Sequence, residues 1–254
     1  MSAGIVIIPT YNEIENIERI VHAVFQLPST FHVLIVDDNS PDGTSQKVAE
    51  LQQQYTGKLF LEVRTKKSGL GTAYVHGFKW ALSHNYQYIY EMDADFSHNP
   101  NDLEKLYLAC QNGADVAIGS RYSKGVNVVN WPLNRVLMSY FASVYVKFIT
   151  GMQIHDATAG FICYKRNVLE TINIDKIKFV GYAFQIEMKY RAFVHKFKIE
   201  EVPTAVTDAL KKAYPDAVLT KAYINEKKEY KIEVKIADKE GALYADETGK
   251  WIQK

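Results

Sequence analysis

Apolar runs and helical periodicities take turns along most of this chain. Ile5-Val6-Ile7-Ile8, closed by Pro9, is a continuous β-branched run and predicts a strand buried on both faces. Asn12, with Glu15 three residues on, predicts a capped helix start, after which Ile17, Ile20, Val21 and Val24 recur at helical spacing. Phe31 to Val36 predicts a second strand that runs into Asp37-Asp38, and Ser40-Pro41-Asp42-Gly43 a turn into the next helix. Leu59 to Val63, Tyr88 to Met92 and Asp115 to Ile118 repeat the strand pattern. Helices are expected after Gly69 and from Asn99-Pro100, where proline suits the first helical position. Such alternation predicts an α/β domain with a mostly parallel sheet between helices.

Further on, Leu133 to Phe148 reads as a helix with a wide apolar surface, interrupted by Arg135 and Lys147. It suits either packing on the core or contact with lipid. Gly160 to Tyr164 and Lys198 to Val202 predict strands, and Tyr182 to His195 a helix. After Pro203 lysines become frequent. Val206, Leu210 and Ala213 mark a helical face, Tyr230, Ile232, Val234 and Ile236 alternate with polar residues as in a half-exposed antiparallel strand, and Asp246 to Gly249 predicts a turn. The expected division is therefore 1–203 as one domain and 204–254 as a small α+β unit.

Composition narrows the functional classes. Of 254 residues, 47% are hydrophobic and 23% charged, enough for a sizeable core without disulfides. A formal net charge of +1 argues against a nucleic-acid binder. The two cysteines, Cys110 and Cys163, lack metal-ligand spacing and read as buried thiols of a reducing compartment. No window approaches the roughly 18 uncharged apolar residues of a membrane span, and the start lacks a signal-peptide pattern. The expected location is cytoplasmic, peripheral to the membrane face.

Polar clusters fall where predicted strands end: Thr10-Tyr11-Asn12-Glu13, Asp37-Asp38, Asp93-Ala94-Asp95 and Gly119-Ser120-Arg121. Ligands of parallel α/β sheets collect at such ends. Carboxylates alone repel a phosphate ligand, whereas a divalent cation, Mg²⁺ or Mn²⁺, bridges carboxylate and diphosphate oxygens. Asp93 and Asp95 suit that chemistry, and equally suit capping of the loop. Lys66-Lys67 with Gly69 and Gly71 would let cations and backbone approach a phosphate, or form a plain turn at a helix start. Arg64 fits either a structural place or the base pocket. Arg121 and Arg135 offer rigid donor forks for a phosphate, or for surface ion pairs. His98, His155 and His195 have no ligand spacing.

Taken in order, Pro9-Thr10-Tyr11-Asn12-Glu13, Val36 to Thr44, Lys67 to Tyr74, Met92 to His98, Gly119 to Tyr122 and Asp156 to Phe161 resemble the dolichyl-phosphate and polyprenyl-phosphate mannosyltransferases. These are inverting family 2 glycosyltransferases of the GT-A fold. The resemblance implies transfer of mannose from GDP-mannose to a dolichyl or polyprenyl phosphate, giving a β-linked mannosyl phospholipid. It places Pro9, Tyr11, Glu13 and Asp38 at the nucleotide; Arg64, Lys67, Gly71, Asp93 and Ala94 are further candidates for the donor side. Asp93 and Asp95 form the metal motif, Asp95 being the direct ligand, and Arg121 and Arg135 hold the acceptor phosphate. The alternatives are a UDP-dependent glucosyl or GlcNAc transferase of the same fold, and a nucleotide-binding module of impaired catalysis. Ser97 stands where the family often has Gln, and after Glu201-Val202-Pro203 the family's Asp-Arg pair and closing loop are missing. The tail from Val206 to Trp251 resembles PepSY-like, β-lactamase-inhibitor-protein-like units, which implies a fusion and a protein partner for the tail.

Overall fold

A computed structural model describes residues 2–121, 133–203, 217–224, 230–236, 239–245 and 251–252. Strands β1 (Gly4–Thr10), β2 (Phe31–Asp37), β3 (Leu59–Val63), β4 (Tyr88–Glu91), β5 (Val116–Ser120), β6 (Ile162–Lys165) and β7 (Ile199–Pro203) form one sheet in the order β3-β2-β1-β4-β6-β5-β7. The pairs β1–β2, β2–β3 and β1–β4 are parallel, while β6 enters antiparallel between β4 and β5. The helices are α1 (Ile17–Phe25), α2 (Thr44–Gln54), α3 (Leu70–Ser83), α4 (Asp102–Gln111), α5 (Leu133–Thr150), α6 (Arg166–Thr171) and α7 (Tyr182–Val194).

The strands form where the apolar runs lie because both faces are covered. Ile5, Val6, Ile7 and Ile8 have no solvent exposure. The α1 stripe of Ile17, Ile20, Val21 and Val24 closes one face together with Val33, Ile35, Leu103 and Leu106. Each such side chain contributes about 2 kcal/mol by leaving water. Strand order reverses direction of growth between β1 and β4, so their carboxyl ends flank the crevice that ligands of such sheets occupy.

Two helix starts differ from expectation. Asn12 is not a cap: its backbone is left-handed at φ 62°, and its N–H donates to Ser40 Oγ at 3.0 Å. Glu13 and Ile14 N–H groups are taken by Thr44 and Asp42 side chains, so the helix waits until Ile17. Likewise Pro100 lies in a turn, with Asp102 N–H donating to Asn99 C=O, and α4 begins at Asp102. In both places tertiary and turn partners took the backbone donors that a cap would have used.

The chain divides into two compact units, 1–119 with 157–202 and 120–156 with 203–254. The second contains α5 and a four-stranded sheet of β8 (Ala217–Ile224), β9 (Tyr230–Ile236), β10 (Lys239–Ala245) and β11 (Trp251–Ile252), in the order β11-β10-β9-β8 with antiparallel pairing. The expected antiparallel strand at 230–236 is present. The expected helix around Val206 to Ala213 and the turn at Asp246 to Gly249 lie outside the described residues. Cys110 and Cys163 are free and buried.

Candidate functional site

Three strand ends of the first unit and one helix start build the site. At β1 and β2, Thr10 Oγ1 donates to Asp37 Oδ1 at 2.8 Å, and Ser40 donates to the same carboxylate through its N–H and its hydroxyl. Asp37 is fully buried and occupied by these bonds, so it ties the two strand ends together. Asp38, the next residue, takes the Arg64 guanidinium through both oxygens, with Nη2 to Oδ2 at 2.8 Å. Both side chains are largely buried, and the planar fork matches the carboxylate. Arg64 Nη1 continues to Thr72 Oγ1, which donates to Gly69 C=O. Arg64 thereby connects the end of β2 to the start of α3.

Lys67 Nζ sits 4.0 Å from the centre of the Tyr11 ring, both side chains being exposed. A cation over a ring is held without neutralisation, so Lys67 still presents its charge. Gly71 does something unexpected: its N–H donates to Val180 C=O at 2.9 Å, and a Cβ there would stand 2.8 Å from the Phe184 ring. The missing side chain makes room for α7.

Beyond β4, Tyr74 donates to Asp93 Oδ1 at 3.1 Å, and Asp93 N–H donates to His98 Nδ1 at 3.2 Å. Burial, with Asp93 beside it, raises the Tyr74 phenol well above its ordinary range, so it remains a donor. His98 stacks flat on Phe161, ring centres 5.0 Å apart. Ala94 is buried, whereas Asp95 is exposed and accepts from Ser97 N–H at 2.9 Å. Phe96 between them is left-handed at φ 60°, with Arg19 over its ring at 5.0 Å. A bulky residue there is uncommon and costs on the order of 1 kcal/mol. The turn it makes puts the Asp95 carboxylate at the surface.

The structure thus brings Tyr11, Asp38, Arg64, Lys67, Asp93, Ala94 and Asp95 to the carboxyl ends of β1, β2 and β4 and the start of α3. Glu13 lies on the same loop, where its N–H reaches Thr44 Oγ1, and Pro9 is within β1. Arg121 belongs to the second unit, where it forms a fork with the fully buried Asp156, with Nε to Oδ2 at 2.7 Å. Arg135 lies on α5 and its side chain is outside the described residues.

Several polar side chains escaped the sequence reading. Glu91 and Lys189 have no exposure and Gln185 almost none. Gln185 Nε2 donates to Glu91 Oε2, and Lys189 Nζ donates to Ala159 C=O at 2.7 Å. Burial pushes the Glu91 carboxyl up to about 8, against the opposing pull of the Gln185 hydrogen bond and the Lys189 charge. The available signal was a carboxylate inside the apolar run Tyr88 to Met92, and polar residues on the buried stripe of Phe184, Met188 and Ala192. A polar depression lined by Gln87, Asp115, Lys165, Arg166 and Glu170 lies at the opposite strand ends, where the cations are paired with Asp115 and Glu170.

Residues 5–172 match the model of the family described as glycosyl transferase family 2. The chain is 46% identical over 204 residues to polyprenol monophosphomannose synthase of Mycolicibacterium smegmatis, covering 80% of this chain and 77% of that one. It is 40% identical over 197 residues to undecaprenyl-phosphate mannosyltransferase of Micrococcus luteus, covering 78% and 80%. Among solved structures, a mannosyltransferase from Pyrobaculum calidifontis in complex with GDP-Man and Mn²⁺ superposes with a TM-score of 0.51 at 18% identity, over 78% of this chain and 54% of that one. That likeness concerns the fold. With the sheet order, the strand-end site and these relatives in agreement, the chain belongs to glycosyl transferase family 2 and is a glycosyltransferase of the GT-A fold.

Proposed function

We propose that this protein transfers mannose from GDP-mannose to a polyprenyl or dolichyl phosphate with inversion. The observation that carries the reading is the strand-end site, whose paired Asp38–Arg64, ring-held Lys67 and surface Asp95 suit a nucleoside diphosphate. The named activities of the two relatives supply the sugar and the class of acceptor.

In this reading Pro9, Tyr11, Glu13 and Asp38 line the nucleotide, and Lys67 faces its diphosphate. Asp93, held by Tyr74 and His98, orients the sugar. The chemistry of the donor set fits a divalent cation, Mg²⁺ or Mn²⁺, at Asp95. This carboxylate is exposed and has no cation beside it among the described residues. Asp95 would be the protein's ligand to such an ion; no group of three or more His, Cys, Asp or Glu side chains that could hold a metal is found among the described residues. Such an ion, when bound, neutralises charge on the departing diphosphate. A phosphate monoester is already anionic near neutral pH, so the protein's task is alignment behind the anomeric carbon. Arg121 and Arg135 are assigned to that acceptor phosphate.

Lipid contact is supported by α5. Phe141, Val144, Tyr145, Phe148 and Ile149 are exposed at helical spacing, and Phe148 is 85% exposed. Residues 122–155 contain no Asp or Glu, while Lys124, Arg135 and Lys147 are cationic. An apolar face with this charge balance suits an anionic membrane surface. Among the described residues no helix is long and apolar enough to cross a membrane, so the association we propose is peripheral, at the cytoplasmic face. For the tail we propose a separate PepSY-like unit over 204–254, appended to the transferase over 1–203, with a protein partner. Its antiparallel sheet supports that division.

The deciding experiment is calorimetric binding of GDP and UDP with Mn²⁺, beside transfer of labelled mannose to a short polyprenyl phosphate. GDP preference with transfer is expected. A clear UDP preference would favour a UDP-sugar donor, and binding without transfer a nucleotide-binding module.

A further inference from the structure

Helix α7 touches three parts of the site from behind. Phe184 stacks parallel to Tyr74, ring centres 6.1 Å apart, and fills the space left by Gly71. Gln185 donates to Glu91, the last residue of β4, two positions before Asp93. Lys189, one helical turn on, donates to Ala159 C=O in the segment before β6. All three side chains are buried.

Gln185 is the centre of this arrangement. Its Nε2 lies 3.6 Å from where a Gly160 Cβ would be, and His98 Cε1 lies 3.8 Å from the same point. His98 in turn accepts from Asp93 N–H. Hydrogen bonds therefore tie Gln185 to Glu91 and His98 to Asp93, and both Gln185 and His98 border the space beside Gly160. The arrangement also holds an unsatisfied polar atom. The Tyr164 hydroxyl lies beside the Glu91 carboxylate, while Gln185 Oε1 is buried with no hydrogen-bond partner among the described residues. Such an atom costs about 1–3 kcal/mol, an expense that packing alone does not require, since an apolar pair of this size would fill the space. Polar pairs of this kind fix one geometry where an apolar contact would slide.

We propose that Gln185 is a positioning residue. Through Glu91 and Gly160 it sets the angle at which the Asp93–Asp95 segment leaves β4, and so the place of the Asp95 carboxylate relative to a bound diphosphate. The inference rests on the sugar-transfer reading above for its substrate, and on the buried Gln185–Glu91 bond for its geometry. Gln185 touches neither sugar nor nucleotide in it.

The test measures GDP affinity by calorimetry with and without Mn²⁺, and kcat and KM for mannose transfer, in the full chain. Gln185→Leu is expected to leave metal-free GDP affinity unchanged while cutting the Mn²⁺ enhancement at least threefold. It should lower kcat about tenfold with KM within about twofold. The exchange Glu91→Gln with Gln185→Glu keeps one carboxyl and one amide, and should recover most of what either single change loses. Gln185→Leu with wild-type enhancement and kcat would overturn the proposal. If that variant does not fold, the exchange decides: a folded double variant no better than Glu91→Gln alone overturns it. Wild-type protein that binds GDP with Mn²⁺ but transfers no mannose overturns the sugar reading and leaves the binding comparison to judge Gln185. Absence of any Mn²⁺ enhancement in the wild type overturns both.

Discussion

The Tyr74 hydroxyl reaches Asp93 Oδ1 at 3.1 Å from a side chain with no solvent exposure. A rigid buried phenol aimed at a strand-end carboxylate limits where that carboxylate can swing. Tyr74→Phe keeps the ring packing on Phe184 and removes only the donor. Stability should fall by about 1 kcal/mol in urea unfolding, and kcat for sugar transfer by roughly tenfold. Unchanged turnover would remove Asp93 orientation from the mechanism.

Arg64 and Asp38 form a largely buried fork pair, with 12% and 8% side-chain exposure. Arg64→Ala leaves the Asp38 carboxylate without its cation and detaches the start of α3 from β2. The expected loss is about 3 kcal/mol, read by chemical denaturation. Arg64→Lys should recover part of it, because one ammonium replaces a two-point fork.

Glu91 couples stability to pH. Its native carboxyl holds a proton up to about pH 8, against an ordinary value of 4.5, because burial penalises the charge. Between those limits the native state binds a proton that the unfolded chain has released, so stability is lost as pH rises through the window. Lys189, Asp93 and Tyr164 are the charged and titratable groups facing it, together with the neutral Gln185 amide. Glu91→Gln should therefore flatten the profile and gain on the wild type from pH 5 to pH 8. Parallel profiles in urea unfolding at these two pH values would contradict the assignment.

Asp95 is exposed and bonded within the protein only to Ser97 N–H among the described contacts. Asp95→Ala should change folding stability by no more than about 0.5 kcal/mol while removing the effect of Mn²⁺ on GDP binding. Retained metal dependence would move the ligand elsewhere.

Strand positions were legible because Ile5 to Ile8, and Phe31 to Val36 apart from His32, are apolar on both faces, which only a covered sheet accommodates. Asp93 and Asp95 were legible because they follow such a run directly. The α1 start was not, since Asn12 and Glu13 gave their N–H groups to Ser40 and Thr44, residues some thirty positions away. Nor was the use of Gly71, which depends on Phe184 of a distant helix.

Local pattern by itself determined that this chain makes an α/β sheet with acidic strand ends, because burial and periodicity are properties of neighbouring residues. Tertiary structure alone decided which carboxylates are tied up and which stay at the surface. Asp37 is consumed by Thr10 and Ser40, Asp38 is paired with Arg64, Glu91 is buried against Gln185, and Asp95 is turned outward at Phe96. Three are strand-end acids in sequence and Glu91 sits inside an apolar run, and their chemistry diverges because hydrogen-bond partners and desolvation come from segments far along the chain.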